Sequence, residues 1–311
     1  MSKDFLENIC GQGFSFIFPL TAFLFLEYLD VLRLKKRLTN KNFPVIIKIQ
    51  KQKRKELKKM NIVVFDTETT SLNKPFCYNI GYVIINTDEW KTIIKRSYVV
   101  EQIWHNLPLF STAYYADKRQ IYIEDMRARR TIMDKFGYIC RQMSKDFKQY
   151  EVEKAFAYNS NFDERVFNFN CDWYKCINPF DNIPIIDIRG FVHQFIVDKV
   201  YKRFCDKNFL YTDGGNYSTT AEDVYRYIIN NVNFNEEHTA LDDSIIESEI
   251  LRVCVQDCGA DLNREYEVKK SIEREQEKTL HIRTAEQTDY YFDYKKIRMN
   301  KEKTEIRSYT F

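Results

Sequence analysis

Two acidic residues, Asp66 and Glu68, follow directly on the apolar run Ile62–Phe65. Residues two apart on a strand point to the same side, so both carboxylates are expected at the C-terminal end of one strand. The sequence holds no Lys or Arg between Met60 and Asn73, and adjacent carboxylates repel each other unless a cation neutralises them. Oxygen ligands of this kind suit Mg²⁺ and Mn²⁺. By itself the pair is a weak signal, since such a pair usually marks a strand end that meets solvent.

A third acid, Asp163, ends the segment Tyr158-Asn159-Ser160-Asn161-Phe162-Asp163. Residues Ala155–Tyr158 are expected to form a short buried strand, and the turn that follows is expected to open a helix. Asp163 would then stand in a first helical turn close to the end of a strand. A carboxylate in that position also complements the helix dipole, so a purely structural role for Asp163 stays open.

The segment His238-Thr239-Ala240-Leu241-Asp242-Asp243 joins a histidine to a further acid. Thr239 and Asp242 resemble a weak capping box, which places a helix start at Thr239. Five residues on a helix turn through roughly 500°, so His238 and Asp243 can meet only if His238 lies in the loop before the helix. A histidine beside a metal-binding acid is a candidate general base, whereas a lone histidine is more often structural.

The elements that must position these residues alternate between strands and helices, which predicts an α/β domain with a mixed sheet covered by helices. Three successive strands, expected to be antiparallel, are predicted at Ile62–Phe65, Tyr78–Asn86 and Thr92–Val100. Two short strands are predicted at Ala155–Tyr158 and Pro184–Ile188. Helices are predicted at Phe162–Phe169, Arg189–Asp206, Ala221–Asn230 and Ala240–Val255.

Long helical structure is also predicted over residues 119–149. The reason is that four apolar residues recur at the spacing of one helical face: Ile132, Phe136, Ile139 and Met143. Further along the chain, Thr219 and Glu222 resemble a capping box at the start of the helix predicted over Ala221–Asn230.

Taken together, the segments Phe65–Thr70, Asn159–Asp163 and His238–Asp243 resemble the three ordered motifs of the DEDDh 3′→5′ exonucleases. This family includes the proofreading subunit of bacterial DNA polymerase III, RNase T and oligoribonuclease. The stretch Asn216–Glu222 and the overall layout are similar to phage-type members. The resemblance covers residues 61–254 approximately, and it implies an RNase H-like fold in which a mixed sheet is flanked by helices.

The resemblance also implies a chemistry. Two divalent cations, Mg²⁺ or Mn²⁺, would be held by Asp66, Glu68, Asp163 and Asp243, and His238 would activate water. Two cations about 3.5–4 Å apart clamp the attacking and leaving oxygens of a phosphodiester. The substrate-binding candidates are Thr67, Thr69, Leu72, Asn159 and Phe162. Two positions depart from the frequent family pattern, because Ser71 stands in place of Gly and Tyr158 in place of His.

The predicted function is hydrolysis of phosphodiester bonds from the 3′ ends of nucleic acid. Single-stranded DNA is favoured because no motif reads a 2′-hydroxyl. Bases would stack on aromatic side chains, for which Phe76, Tyr78 and Tyr158 are candidates. Two alternatives stay open: an exoribonuclease that trims RNA, and a non-catalytic nucleic-acid-binding or polymerase-associated module on the same fold. Replication or repair proteins are candidate partners, and the sequence does not indicate an oligomeric state.

The net charge is +3 over 311 residues, but basic residues concentrate before residue 60. Residues 33–59 hold twelve Lys and Arg against one acid, which would favour salt-sensitive binding of polyanions. The apolar run Phe14–Leu26 contains Pro19 and is shorter than the roughly 20 residues of a spanning helix, so no stable membrane span is expected.

Three interpretations of the basic and apolar leader, residues 1–59, stay open. It is a buried helix, a membrane-surface segment, or an over-extended reading frame. The third follows because Arg54–Lys59 can be encoded by a purine-rich tract that resembles a bacterial ribosome-binding site ahead of Met60.

The predicted exonuclease domain spans residues 60–257, and a charged extension follows over 258–311. From residue 259 onward the chain holds twelve basic and eleven acidic residues, together with the aromatic cluster Tyr290–Tyr294. This composition predicts a solvated helix or a loose tail. The eight cysteines show no C-x-x-C pair and no zinc-type spacing, so they are interpreted as ordinary thiols in a reducing cytoplasm. A composition with 44% hydrophobic residues, eight Gly and six Pro excludes collagen-like and largely disordered classes.

Overall fold

The computed structural model describes residues 60–273 and, beyond them, the backbone of two short strands. The strands are β1 (Asn61–Thr69), β2 (Cys77–Asn86), β3 (Lys91–Val100), β4 (Ile132–Asp134), β5 (Val152–Ala157), β6 (Ile185–Asp187), β7 (Leu280–Arg283) and β8 (Asp289–Phe292). The helices are α1 (Glu101–Trp104), α2 (Leu107–Phe110), α3 (Arg119–Arg127), α4 (Phe136–Gln149), α5 (Ser160–Tyr174), α6 (Ile188–Phe195), α7 (Lys199–Asn208), α8 (Ala221–Ile228) and α9 (Ala240–Arg252).

Strands β1 to β6 form one mixed sheet in the order β4-β3-β2-β1-β5-β6. The predicted antiparallel arrangement of the first three strands is confirmed, since β2 pairs antiparallel with both β1 and β3. β5 runs parallel to β1, β6 runs parallel to β5, and β4 runs parallel to β3. The α/β class and the mixed sheet flanked by helices, as expected for an RNase H-like fold, are therefore confirmed.

The sheet is buried on both faces because its central strand is apolar on both sides. Val63 and Phe65 of β1 pack into one core, together with residues of α4 and α5. Ile62 and Val64 point the opposite way, into a second core that includes residues of α6 and α9. Helices on both faces thus hold β1 at the centre of the domain, and the acids that follow its apolar run are placed at a fixed point.

The prediction of long helical structure over residues 119–149 is wrong in its middle part. The segment forms α3, then the edge strand β4, then α4. Arg129, just after α3, has the left-handed φ of 60°, and Ile132 is 50% exposed on β4 instead of lying on a helical face. Phe136, Ile139 and Met143 are fully buried on α4, so the spacing is correct for that helix alone. Apolar spacing along a segment does not reveal that the chain changes direction within it.

The helix predicted at Arg189–Asp206 is two helices, α6 and α7. The two helices are separated at Asp198. Its side chain accepts hydrogen bonds from the backbone N–H groups of Val200 and Tyr201 and so caps the start of α7. The helices predicted at Ala221–Asn230 and Ala240–Val255 are confirmed as α8 and α9. Thr239 caps α9 as predicted, whereas α8 is capped by Thr220 and not by Thr219.

The packed region continues past residue 257, the predicted end of the domain. Ala260, Leu262 and Ile272 are buried in the core that contains α6 and α9. The approach is close, since a Cβ on Gly190 of α6 would lie 2.2 Å from the carbonyl oxygen of Tyr266. The predicted boundary therefore falls inside the packed region, because the charged residues after 257 alternate with apolar ones that reach the core.

Further along, β7 and β8 pair as an antiparallel hairpin, where the sequence predicts a helix or a loose tail. The predictions for the leader (1–59) and for the side chains of Tyr290–Tyr294 lie outside the described residues. Within the described part of the chain, no helix has the length and apolar character needed to cross a membrane.

Candidate active site

The acids of the first two motifs meet at the C-terminal end of β1. Asp66 and Glu68 lie opposite Gly81 and Asn79 of β2. Asp163 stands in the first turn of α5, directly after β5. Its Oδ1 accepts a hydrogen bond of 2.6 Å from the hydroxyl of Thr67, which lies between the two acids of β1. Parallel pairing of β1 with β5 thus brings strand ends that are almost a hundred residues apart to one edge.

The third motif reaches the same edge because α9 packs across β2. Ser244 of α9 donates a 3.0 Å hydrogen bond to the carbonyl oxygen of Gly81. The buried side chain of Asn79 accepts a 2.8 Å bond from the backbone N–H of Ala240, at the start of the helix. As a result, carboxylate oxygens of Asp66, Glu68 and Asp243 lie within 4.8 Å of one another.

Gly81→Ala is expected to destabilise the domain and displace α9. A Cβ at this position would lie 2.1 Å from the carbonyl carbon of Ala240 and from the backbone nitrogen of Leu241. Backbone cannot yield as a side chain does, so we expect a loss of about 1–3 kcal/mol or more in the free energy of unfolding. Urea unfolding measures it. Gly214→Ala is the matched control, because its Cβ would meet only side-chain atoms, at 3.4–3.5 Å; equal stability of the two variants would contradict the close approach of α9 to β2.

His238 lies in the loop before α9, as the sequence predicts, with a left-handed φ of 53°. Its ring stacks on Tyr115, with the ring centroids 4.4 Å apart and an interplanar angle of 12°. Nδ1 lies 3.6 Å from Oε2 of Glu236. Burial lowers the pKa of His238, and Lys118 lowers it further against the opposing effect of Glu222.

The carboxylates are short of compensating positive charge. Burial, opposed by a backbone hydrogen bond at Thr67, raises the pKa of Asp66 to about 7. Burial and the neighbouring Asp66 raise the pKa of Asp243 to about 10. Burial also raises the pKa of Glu68 and of Asp163 well above the usual range, with Asp66 adding to the effect at both. At neutral pH the metal-free site therefore retains protons that a bound cation would replace.

Two further carboxylates belong to this electrostatic centre, and the sequence interpretation missed both. Glu236 lies within ion-pair distance of His238, and burial raises its pKa to about 7. Glu247 is buried on α9 and accepts a 3.1 Å hydrogen bond from the backbone N–H of Tyr158. A signal existed for each: Glu236 precedes His238 by two residues, and Glu247 follows Asp243 by one helical turn.

The donor set fits a hard divalent cation. Asp66, Glu68 and Asp243 offer only oxygen ligands, and these converge within 4.8 Å. Oδ1 of Asp243 is buried and has no hydrogen-bond partner within the described residues. An orphaned buried carboxylate oxygen is costly unless something binds it. A cation of the Mg²⁺ or Mn²⁺ type would satisfy it.

Metal binding is expected to release protons. Carboxylates with raised pKa values must lose their protons to become ligands, so affinity for Mn²⁺ should rise with pH between 6 and 8. We expect about one proton or more to be released per chain at pH 7. Calorimetric titration in PIPES and in Tris, which differ in ionisation enthalpy, measures the number. Identical apparent enthalpies in both buffers would contradict the raised pKa of Asp66, about 7 in the buried site.

A cleft of about 430 Å³ opens beside the carboxylates. Four of the predicted substrate-binding residues line it, namely Thr67, Thr69, Leu72 and Phe162. Asn159 does not line it, and its side chain instead accepts a hydrogen bond from Arg189 at 3.3 Å. The cleft adds Tyr114 and Tyr115 from the segment after α2, which the sequence interpretation did not single out.

The three aromatic residues predicted to stack on bases are engaged elsewhere. Tyr78 is fully buried. Tyr158 donates a 2.6 Å hydrogen bond to the carbonyl oxygen of Thr219, and Phe76 packs edge-on against Trp173. Tyr114, in contrast, is 86% exposed at the cleft. Tyr78, Phe76 and Tyr158 pack against the cores on the two faces of the sheet, because both faces are covered.

No protein-family model and no curated protein sequence matches the chain. Among solved structures, the nuclease domain of 3'hExo, a DEDDh family member bound to rAMP, is similar at 15% identity and a TM-score of 0.46, covering 69% of this chain and 98% of that chain. The 3'-exonuclease of a complex that recognises the histone mRNA stem-loop gives 14% identity, a TM-score of 0.47 and coverage of 65% and 84%. E. coli Exonuclease I in complex with a dA16 oligonucleotide gives 15% identity, a TM-score of 0.43 and coverage of 64% of this chain but 41% of that chain. The likeness concerns the course of the backbone, and the chemistry of this chain rests on its own side chains.

Proposed function

We propose that the protein is a metal-dependent 3′→5′ exonuclease that acts on single-stranded nucleic acid, with DNA as the expected substrate. The observation that carries the proposal is the convergence of acids from three motifs on one buried point. Asp66, Glu68 and Asp243 share that point, and Asp163 is hydrogen-bonded beside it. The 3′ polarity follows from the resemblance of the three motifs to the DEDDh exonucleases.

The proposed ligands are Asp66, Glu68, Asp163 and Asp243, around two divalent cations, Mg²⁺ or Mn²⁺. Bound cations supply positive charge to the scissile phosphate and lower the pKa of the attacking water. The chain itself supplies the orientation. Thr67 holds Asp163 by its 2.6 Å hydrogen bond, and the capped start of α9 holds Asp243 in its first turn.

His238 is the proposed general base. Burial lowers its pKa, which favours the neutral imidazole that can accept a proton from water. Stacking on Tyr115 limits rotation of the ring, and Glu236 near Nδ1 favours the imidazolium that forms on proton transfer. A positioned base of this kind would accept the proton of the attacking water, while the carboxylates would hold the cations.

The cleft is the proposed site for the terminal nucleotides. Leu72 is 71% exposed at its rim, and Phe162 provides an apolar wall. The exposed ring of Tyr114 is suited to stacking on a base of an unpaired strand. A duplex would first have to fray to enter a cleft of about 430 Å³, so a single strand is the expected substrate.

The test is an assay on single strands of DNA and RNA labelled at the 5′ end, with Mg²⁺ or Mn²⁺. We expect a ladder of shortened products that keep the label, and no products when a chelator is present. A circular single strand should resist, because it has no end. Cutting of the circle, or loss of the label first, would contradict the proposed polarity. Faster hydrolysis of RNA would favour the exoribonuclease alternative, and binding without hydrolysis would favour the non-catalytic module.

A further inference from the structure

Three cysteines from two segments of the chain form one cluster, at the opposite end of α5 from Asp163. Cys140 lies in the middle of α4, Cys171 lies in the last turn of α5, and Cys176 follows α5 by two residues. Their Sγ atoms all lie within 4.8 Å of one another. The sequence interpretation treated these residues as ordinary thiols because no zinc-type spacing links them.

The backbone is arranged so that the third thiol reaches the other two. Lys175 has a left-handed φ of 53°, and the backbone N–H of Cys176 donates a 3.0 Å bond to the carbonyl oxygen of Cys171. Gly137, one turn before Cys140 on α4, leaves the space, since a Cβ there would lie 3.3 Å from the Cβ of Cys176. A Cβ at residue 137 would require Cys176 to shift by a few tenths of an ångström.

The cluster has the dimensions of a thiolate metal site. With zinc–sulfur bonds of about 2.3 Å, tetrahedral sulfur ligands lie about 3.8 Å apart, so shifts of less than about 1 Å would bring these Sγ atoms into place. Cys140 and Cys171 are buried, whereas Cys176 is partly exposed. One side of the cluster is thus open to solvent, and this gives a path for an ion and a position for a water as fourth ligand.

The charges around the cluster favour a cation and not free thiolates. The cluster lies at the C-terminal end of α5, where the helix dipole is negative. Three thiolates with one divalent cation carry a net charge of −1. The guanidinium of Arg141, next to Cys140, lowers the pKa of Cys176 against the larger effect of burial, and it stacks at 4.1 Å over the ring of Tyr138. A cationic neighbour held in this way can balance the remaining charge.

We propose that Cys140, Cys171 and Cys176 bind one thiophilic d¹⁰ cation, Zn²⁺ or Cu(I), in a structural site separate from the carboxylate site. Soft thiolates suit such ions, whereas the oxygen ligands of the carboxylate site suit Mg²⁺ and Mn²⁺. The site joins α4 to α5. Asp163 stands eight residues before Cys171 on α5, about 12 Å along the helix. The bound ion therefore stabilises the helix that carries one of the proposed catalytic ligands.

The test uses the full chain, stripped with a chelator and kept reduced with a phosphine, and then titrated with Zn²⁺ in excess Mg²⁺. We expect one zinc per chain by elemental analysis and a rise in Tm of about 5–10 °C at a hundredfold excess over the dissociation constant. Cys171→Ser and Cys176→Ser should lose both effects. Cys254→Ser is the matched control, because Cys254 is buried in the other core. Cys176→Ser serves if the Cys171 variant fails to fold.

Cobalt distinguishes the two sites by spectrum. Co²⁺ bound to the cysteines should show an intense near-ultraviolet sulfur-to-cobalt band, which carboxylate ligands cannot produce. A parallel titration with Cu(I) against a chromogenic chelator separates the two ions. Substoichiometric binding of both ions, or binding that survives the cysteine substitutions, would overturn the proposal. None of these readouts depends on nuclease activity, so they are independent of the proposed function.

Discussion

Asp163→Asn is expected to lower the rate of phosphodiester hydrolysis by about 10³-fold or more, because several kcal/mol of transition-state stabilisation depend on the bound cations. The amide keeps the shape of the side chain, and its oxygen can still accept the hydrogen bond that Thr67 donates to Asp163. It removes one negative charge from a group of carboxylates whose pKa values are raised by burial, with Asp66 adding to the effect at Asp163 and Asp243. The metal-free variant should therefore be at least as stable as the native protein while its affinity for Mn²⁺ falls.

Glu164→Gln is the matched control, since Glu164 is the next residue on α5 and is exposed. It changes the charge of the helix by the same amount without touching the site, and we expect its activity to stay near that of the native protein. Rates under saturating and limiting Mn²⁺, together with thermal unfolding in chelator, measure the three effects. Near-native activity of Asp163→Asn would remove Asp163 from the ligand set and with it the proposed mechanism.

His238→Ala is expected to slow hydrolysis by about 10²–10⁴-fold, the usual contribution of a positioned general base. The four carboxylates are unchanged in this variant, so Mn²⁺ should still bind. In the native protein the rate should rise with pH as His238 loses its proton and then level off. Because burial lowers the pKa of His238, the rise should be centred below the pKa of a free imidazole. At saturating Mn²⁺ the variant should show no such rise.

His105→Ala is the control, because His105 is exposed just after α1 and is not among the residues that line the cleft. Single-turnover rates across pH 5 to 9, with metal binding measured separately, distinguish two roles for His238. Loss of metal binding with an unchanged rate per bound metal would make His238 a structural residue. An unchanged pH profile in the variant would assign the base to another group.

Local signals in the sequence were sufficient for much of the architecture. The apolar run before Asp66 predicts β1. Val63 and Phe65 alternate with Ile62 and Val64, and the two pairs pack into different cores. The cap at Thr239 predicts the start of α9 and the position of His238 in the preceding loop. These predictions succeed because a strand period and an N-cap depend on residues within one turn of each other.

Local signals failed where the chain reverses or where a partner lies far away. Ile132 has helical spacing with Phe136, yet it lies on an edge strand, paired with Tyr98 of β3. The charged residues after 257 predict a solvated segment, yet Ile272 is buried in the core. In both cases the deciding contact comes from another element, and the spacing within the segment does not encode it.

By itself, the sequence determined which acids could form the site and in what order they occur along the chain. Their roles as ligands stay a prediction. Only the tertiary structure decided what surrounds them: Tyr115 stacked on His238, Glu247 bonded to the turn after β5, and three thiols collected between α4 and α5. The physical reason is that burial and mutual charge set the pKa values and ligand geometry of a site, and both arise only when distant segments pack together.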